Sequence, residues 1–258
     1  MTTGGFASPD PETAVIVPPS ARHPLQLVPA DYFRHLRPDE IFPPGPDGSR
    51  RPLEVDLGCG DGGFVLALAE HHPERDFLAV ERLFGRARKV CKRAARRGLA
   101  NVRVLRLESA YTLGWLLPDR SVSRLHLLFP DPWPKQRHHR LRLPRQDDFK
   151  TGLPRVLAPG GEFLFKTDDA PYFEDACPLI DALPGLKRLD WPDDGWFQPL
   201  TDFERQWLAQ GRAVHRARWQ RAPFAAPASA PPVDPPRVVL VRDLQRLRHL
   251  QVQHERQQ

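Results

Sequence analysis

The sequence predicts an α/β fold: a doubly wound, mostly parallel sheet of seven strands with helices on both faces. Two observations predict it. Short apolar runs alternate with longer segments of helical periodicity from residue 53 to residue 183, the pattern of βαβ units joined by crossovers. A glycine-rich loop, DLGCGDGGF at residues 56–64, stands where the first apolar run ends and the first helical segment begins. Folds of this kind bend the chain around a ligand there.

The elements follow in order. Residues 1–22 are rich in Pro, Ser and Thr and are expected to be disordered. An amphipathic piece falls at residues 30–36, and PPGPDGSRRP at 43–52 reads as a loop. Strands are expected at 53–57, 77–80, 102–107, 125–129 and 162–167, with helices at 64–71, 83–97, 113–117, 149–157 and 171–183. APGG at 158–161 reads as a turn before the fifth strand. Two further strand candidates, 187–191 and 213–219, bring the sheet to seven. A Pro/Ala linker at 222–236 leads to a tail with helical periodicity at 238–252. Three segments result: an N-terminal extension (1–50), an α/β domain (51–221), and the linker with its C-terminal helix (222–258).

Composition narrows the class. A hydrophobic share of 40% is enough for a core, and a net charge of +6 is moderate, so the distribution of charge matters more than its sum. Cys59, Cys91 and Cys177 form no CxxC pair. Neither a disulfide framework nor a metal site is expected, and a cytoplasmic protein fits. The N-terminus lacks the basic and apolar regions of a signal peptide, and no apolar run reaches membrane-spanning length.

Gly58, Gly60 and Gly63 satisfy the dinucleotide spacing G-x-G-x-x-G. The choice of cofactor is electrostatic. A dinucleotide sets a pyrophosphate at the helix N-terminus, where negative charge is favoured. Here Asp56 and Asp61 put carboxylates at the loop. S-adenosylmethionine carries a sulfonium and an ammonium and no phosphate, and acids suit it. Glu81 ends the second strand, where an acid accepts hydrogen bonds from ribose hydroxyls in either cofactor class. After the third strand, either Glu108 or Ser109 could accept the adenine amino group, or serve as a helix cap.

The fourth strand delivers FPDPWPKQRHHRL at residues 129–141. Its C-terminal end is where open α/β sheets bind ligands. Pro130, Pro132 and Pro134 stiffen an elbow that holds Asp131 and Trp133. A tryptophan there suits stacking on a nucleobase. Beside it lies a basic cluster: Lys135, Arg137, His138, His139, Arg140, Arg142 and Arg145. A second cluster rides on the helix after the second strand: Arg82, Arg86, Arg88, Lys89, Lys92, Arg93, Arg96 and Arg97. The first borders the expected site and favours phosphate contact. The second is either a solvated face or a nucleic-acid surface.

With these residues placed, the chain resembles the bacterial tRNA (guanine-N(7)-)-methyltransferase family over residues 51–221. The carriers are DLGCGDGGF at 56–64, FLAVE at 77–81, FPDPWPKQRHHR at 129–140, LAPGGEFLFKTDDAPYF at 157–173, and TDFE at 201–204 with Gly211 behind it. The resemblance implies a Rossmann-like class I methyltransferase fold, S-adenosylmethionine as cofactor and tRNA as partner, in a monomer or a homodimer. It puts the cofactor at Asp56, Gly58, Gly60, Glu81 and Ser109, and makes Asp131 the catalytic carboxylate, also in contact with the cofactor. It assigns Lys135, Arg137, Asp168, Thr201 and Glu204 to the substrate. Where the family commonly carries Asp or Asn near the adenine, this chain has Ser109 beside Glu108. Three rival readings are a nicotinamide-dependent oxidoreductase, a methyltransferase acting on an amino group of other RNA, DNA or protein, and a nucleic-acid-binding module without activity.

Overall fold

The computed structural model describes residues 23–191 and 198–223. In chain order the elements are β1 (Gln26–Leu27), α1 (Pro38–Ile41), β2 (Leu53–Leu57), α2 (Gly63–His71), β3 (Asp76–Val80), α3 (Phe84–Arg96), β4 (Val102–Leu105), α4 (Ser109–Tyr111) running into a π-helical turn (Thr112–Leu116), and β5 (Val122–Leu128). Two short 3₁₀ turns (Gln136–Leu141 and Leu143–Arg145), α5 (Asp147–Val156), β6 (Leu157–Thr167), α6 (Ala170–Asp181), β7 (Leu186–Leu189), α7 (Asp202–Ala209) and β8 (His215–Arg221) complete the described chain.

The strands form one sheet in the order β1-β4-β3-β2-β5-β6-β8-β7. Pairing is parallel from β1 through β6, and β8 alone runs antiparallel to its neighbours. The chain winds outward from β2 to β4, then crosses back to β5 on the other side of β2. That reversal opens a crevice at the C-terminal ends of β2 and β5, where such sheets take their ligands. Two apolar clusters cover the two faces: Phe64, Leu68, Val90 and Ala94 of α2 and α3 on one, and Tyr111, Phe149, Leu153 and Ile180 of α4 to α6 on the other.

The expected sheet of seven strands is corrected to eight. The additional strand, β1, is two residues long and carries no apolar run to announce it. Because β1 pairs with β4, and Leu36, Ile41 and Phe42 are buried in the core, the folded unit begins before residue 51. The amphipathic piece at 30–36 is a series of bends, and the helix starts at Pro38 instead. The APGG turn is absorbed into β6, where the pairing with β5 shifts register and Gly160 takes φ 73°. The expected disorder of residues 1–22, most of the linker and the tail helix lie outside the described residues.

Polar groups also cross the sheet. The buried Glu54 carboxylate accepts from Arg75 at 2.8 Å and Arg124 at 3.3 Å, and meets His126 Nε2 at 2.9 Å. Arg124 continues to Glu162, and Glu162 to Arg218. Buried charge is retained only where it is paired, and this ladder pairs each charge across four strands.

Candidate active site

The crevice is a cavity of about 980 Å³. It is walled by the glycine loop, the ends of β3 and β5, the start of α4, the first turn of α5 and the start of α7. Of the predicted residues, Asp56, Gly58, Gly60, Glu81, Ser109, Asp131 and Thr201 line it together. Lys135, Arg137, Asp168 and Glu204 do not.

The glycine loop turns through Gly58, Gly60 and Gly62, with φ of 81°, 57° and 77°. A side chain would be strained at each. The Glu81 carboxylate fastens the turn, accepting from the Gly60 N–H at 3.1 Å and the Leu83 N–H at 2.7 Å. Asp56 is 4% exposed, and among the described residues no donor reaches its carboxylate. Burial pushes its pKa up to about 7, and the charge of Glu81 adds to the rise. The site therefore presents an uncompensated acid that a cation would satisfy.

Gly63 has a different task from the one its spacing suggests. A Cβ there would stand 3.0 Å from Asp202 Oδ2 at the start of α7. A protein carboxylate thus already faces the α2 N-terminus, the slot that a dinucleotide's pyrophosphate occupies. Together with Asp61 this counts against the nicotinamide reading, although each carboxylate also has a cationic partner, Asp202 in Arg205 and Asp61 in Lys89.

The elbow is stiff and strained. Phe129 and Trp133 hold φ of 50° and 48°, left-handed values that non-glycine residues rarely adopt. Three contacts keep them there. The Phe129 N–H donates to the Lys166 carbonyl at 2.8 Å, the Trp133 ring meets His138 edge-on at 6.0 Å, and Arg142 Nε donates to the Pro132 carbonyl at 2.9 Å. Asp131 sits between the strained residues, exposed at the cavity mouth.

Arg142 corrects the expected phosphate cluster. It is 2% exposed, pairs with Asp175 at 3.1 Å, and stacks over Tyr172 at 4.7 Å. Arg145 also pairs with Asp175. Both are struts beneath the elbow rather than free cations. Lys135, Arg137 and Arg140 remain exposed. Asp168 is held by Arg212 at 2.7 Å. Glu204 is buried against Lys166 at 2.8 Å, and the Thr201 hydroxyl accepts from its N–H at 2.9 Å. Those two residues form the capping box that starts α7. The TDFE stretch, expected to contact the substrate, has the T-x-x-E spacing of a helix start, and that is the role the structure gives Thr201 and Glu204.

Sequence reasoning passed over Tyr172, Gln146 and Asp148, which also line the cavity. Asp148 is half-buried, and burial, then the neighbouring Asp147, raises its pKa. No spacing marks Gln146 and Asp148, which the packing of α5 against the π-helical turn brings in, whereas Tyr172 stands on α6 within the stretch 157–173 that carries the resemblance.

This geometry agrees with the comparisons. A family model described as "Putative methyltransferase" matches residues 50–217. A tRNA (guanine-N(7)-)-methyltransferase of Syntrophotalea carbinolica is 37% identical over 179 residues, 68% of this chain and 77% of that protein. The chain belongs to the tRNA (guanine-N(7)-)-methyltransferase family. A second member, from Leifsonia xyli, is 38% identical over 182 residues, 68% of this chain and 79% of the relative. Among solved structures, the 16S rRNA methyltransferase KamB aligns with a TM-score of 0.50 at 21% identity, over 67% of this chain and 88% of that one. That likeness shows the class I methyltransferase fold and nothing finer. Among the described residues no group of three metal-ligating side chains occurs, and no helix is long and apolar enough to cross a membrane.

Proposed function

We propose that this chain transfers a methyl group from S-adenosylmethionine to nitrogen-7 of a guanine in tRNA, in the cytoplasm. One observation carries the reading: a strained elbow presents Asp131 at the mouth of the cavity in which Asp56 lies buried without a donor. The cofactor, when bound, supplies an electrophilic methyl group and two positive charges. Asp56 and Glu81 suit those charges and the ribose hydroxyls, and the side-chain-free loop lets the backbone approach. Ser109 and Glu108 stand at the adenine end. Glu108 is drawn toward Arg82 at 3.3 Å, which favours Ser109 for the contact.

Guanine nitrogen-7 has an in-plane lone pair and needs no general base. Catalysis then rests on holding the base in line with the methyl group. Asp131 holds the base by its N–H edge and offsets the positive charge that grows on the ring. Trp133 gives it a face to stack on. Thr201 approaches from α7, with Glu204 fixing its position from behind and Asp168 steadied by Arg212. Lys135, Arg137 and Arg140 hold the phosphates around the entrance.

Two measurements test this. Titration calorimetry should detect binding of S-adenosylmethionine and none of a nicotinamide dinucleotide. Methyl-labelled cofactor should then pass its label to bulk tRNA, and borohydride and aniline should cut the RNA at the labelled guanine. Label on a protein acceptor, or an RNA that resists cutting, would favour the amino-group reading instead.

A further inference from the structure

The cations between Arg82 and Arg97 divide into two sets. Arg82 pairs with Glu108, Lys89 and Arg93 grip Asp61 in the glycine loop, and Arg97 pairs with Glu70 at the end of α2. These four tie α3 to its neighbours. Arg86, Arg88, Lys92 and Arg96 are exposed, and among the described residues none has an acidic partner. Arg88, Lys92 and Arg96 are four residues apart, so they share one face at steps of about 6 Å.

Helix energetics gives no reason for this set. Like charges four residues apart repel. Arg86 lies in the first turn, where the helix dipole disfavours a cation, and the turn holds no acid. Only Arg96 reaches the last turn, where a cation is welcome. Three of the four therefore cost the helix stability unless something outside it compensates.

Position suggests what does. Arg86 lines the cavity from the first turn of α3, and the Arg88, Lys92 and Arg96 row, on a different side of the helix, runs down its length of about 20 Å away from the cavity mouth. β3 and β5 flank β2, which sets α3 and the elbow on opposite sides of the crevice. We propose that this face of α3 is a second phosphate-binding surface, gripping the tRNA backbone across the cavity from the elbow. The inference rests on the tRNA reading above. A polyanion fits a row of cations without an acid, because each phosphate relieves the repulsion between its neighbours.

The test is the salt dependence of tRNA binding by the full chain carrying Arg88→Ala, Lys92→Ala and Arg96→Ala together, followed by fluorescence anisotropy. None of the three lines the cavity. The plot of log affinity against log salt should lose about 2 to 3 units of slope, with affinity down about tenfold or more at low salt. Cofactor binding should stay as in the parent, and the melting temperature without tRNA should hold or rise, since the repulsion along the row is gone. An unchanged slope in this variant, with Arg137→Ala still flattening it, would overturn the α3 surface and leave the tRNA reading standing. A parent protein without salt-dependent tRNA binding would overturn the reading beneath it.

Discussion

At the scale of residues, Asp56 sets the terms of cofactor binding. Its carboxyl is pushed to about 7 by burial and by Glu81. The folded chain therefore keeps a proton that the unfolded chain releases near pH 4, and this residue's contribution to stability falls as pH rises from about 4 through about 7. Asp56→Asn removes that penalty. The variant should be more stable than the parent at pH 8, by on the order of a few kcal/mol at most in urea unfolding, with the gap closing toward pH 5. A gap that does not change with pH would contradict the assignment. Cofactor affinity should respond the other way, strengthening in the parent as pH rises through about 7 and losing both strength and pH dependence in the variant. Asp131 differs, since it is exposed and acts on the base. Asp131→Asn should lower kcat by about 10²- to 10³-fold and leave the tRNA Kd nearly unchanged. Equal losses in both would make Asp131 a binding residue.

At the scale of elements, stability and function meet in the struts. Arg142 carries the elbow from below. Arg142→Met would strand the Pro132 carbonyl and weaken the hold on Asp175, costing about 3 kcal/mol in urea unfolding. A cost below 1 kcal/mol would show that the elbow supports itself. The contact between α5 and the π-helical turn is equally tight. A Cβ on Gly152 would lie 2.5 Å from the Leu113 carbonyl oxygen. Arg155 binds the same turn, donating to the Leu113 and Leu117 carbonyls at 3.0 and 2.7 Å. Gly152→Ala should cost about 1–3 kcal/mol by overpacking and shift α5, and with it Asp148 and Gln146 in the cavity wall. An unaltered melting temperature would show that α5 can move without penalty.

These elements also mark what the sequence could convey. The central strands announced themselves as apolar runs because parallel strands are buried on both faces. The glycine loop and elbow were legible because backbone geometry forces their composition. β1 was not, since two edge residues carry no periodicity. α7 was hidden behind its own capping box, and Arg142 was read by its charge when its burial decides its role. β1 and Arg142 depend on tertiary packing, on which partner a side chain meets across the fold, whereas the start of α7 is a local T-x-x-E signal.

At the scale of the whole molecule, the strand order places acids and cations in different layers of one crevice. Asp56 and Glu81 lie inside, at the ends of β2 and β3. Asp131 stands at the mouth, and exposed cations lie outside on the elbow and on α3. The modest net charge of +6 conceals that separation. It suits a reaction in which a cationic cofactor enters first and a polyanion then covers it, since each meets charge of the opposite sign.

The most direct test is nucleoside mass spectrometry of unmodified bulk tRNA after incubation with the purified chain and S-adenosylmethionine. A new 7-methylguanosine peak, lost with Asp131→Ala although that variant still binds tRNA, is the predicted result. A different methylated nucleoside, or none in the presence of demonstrated cofactor binding, would contradict the assignment of guanine nitrogen-7 as the atom modified.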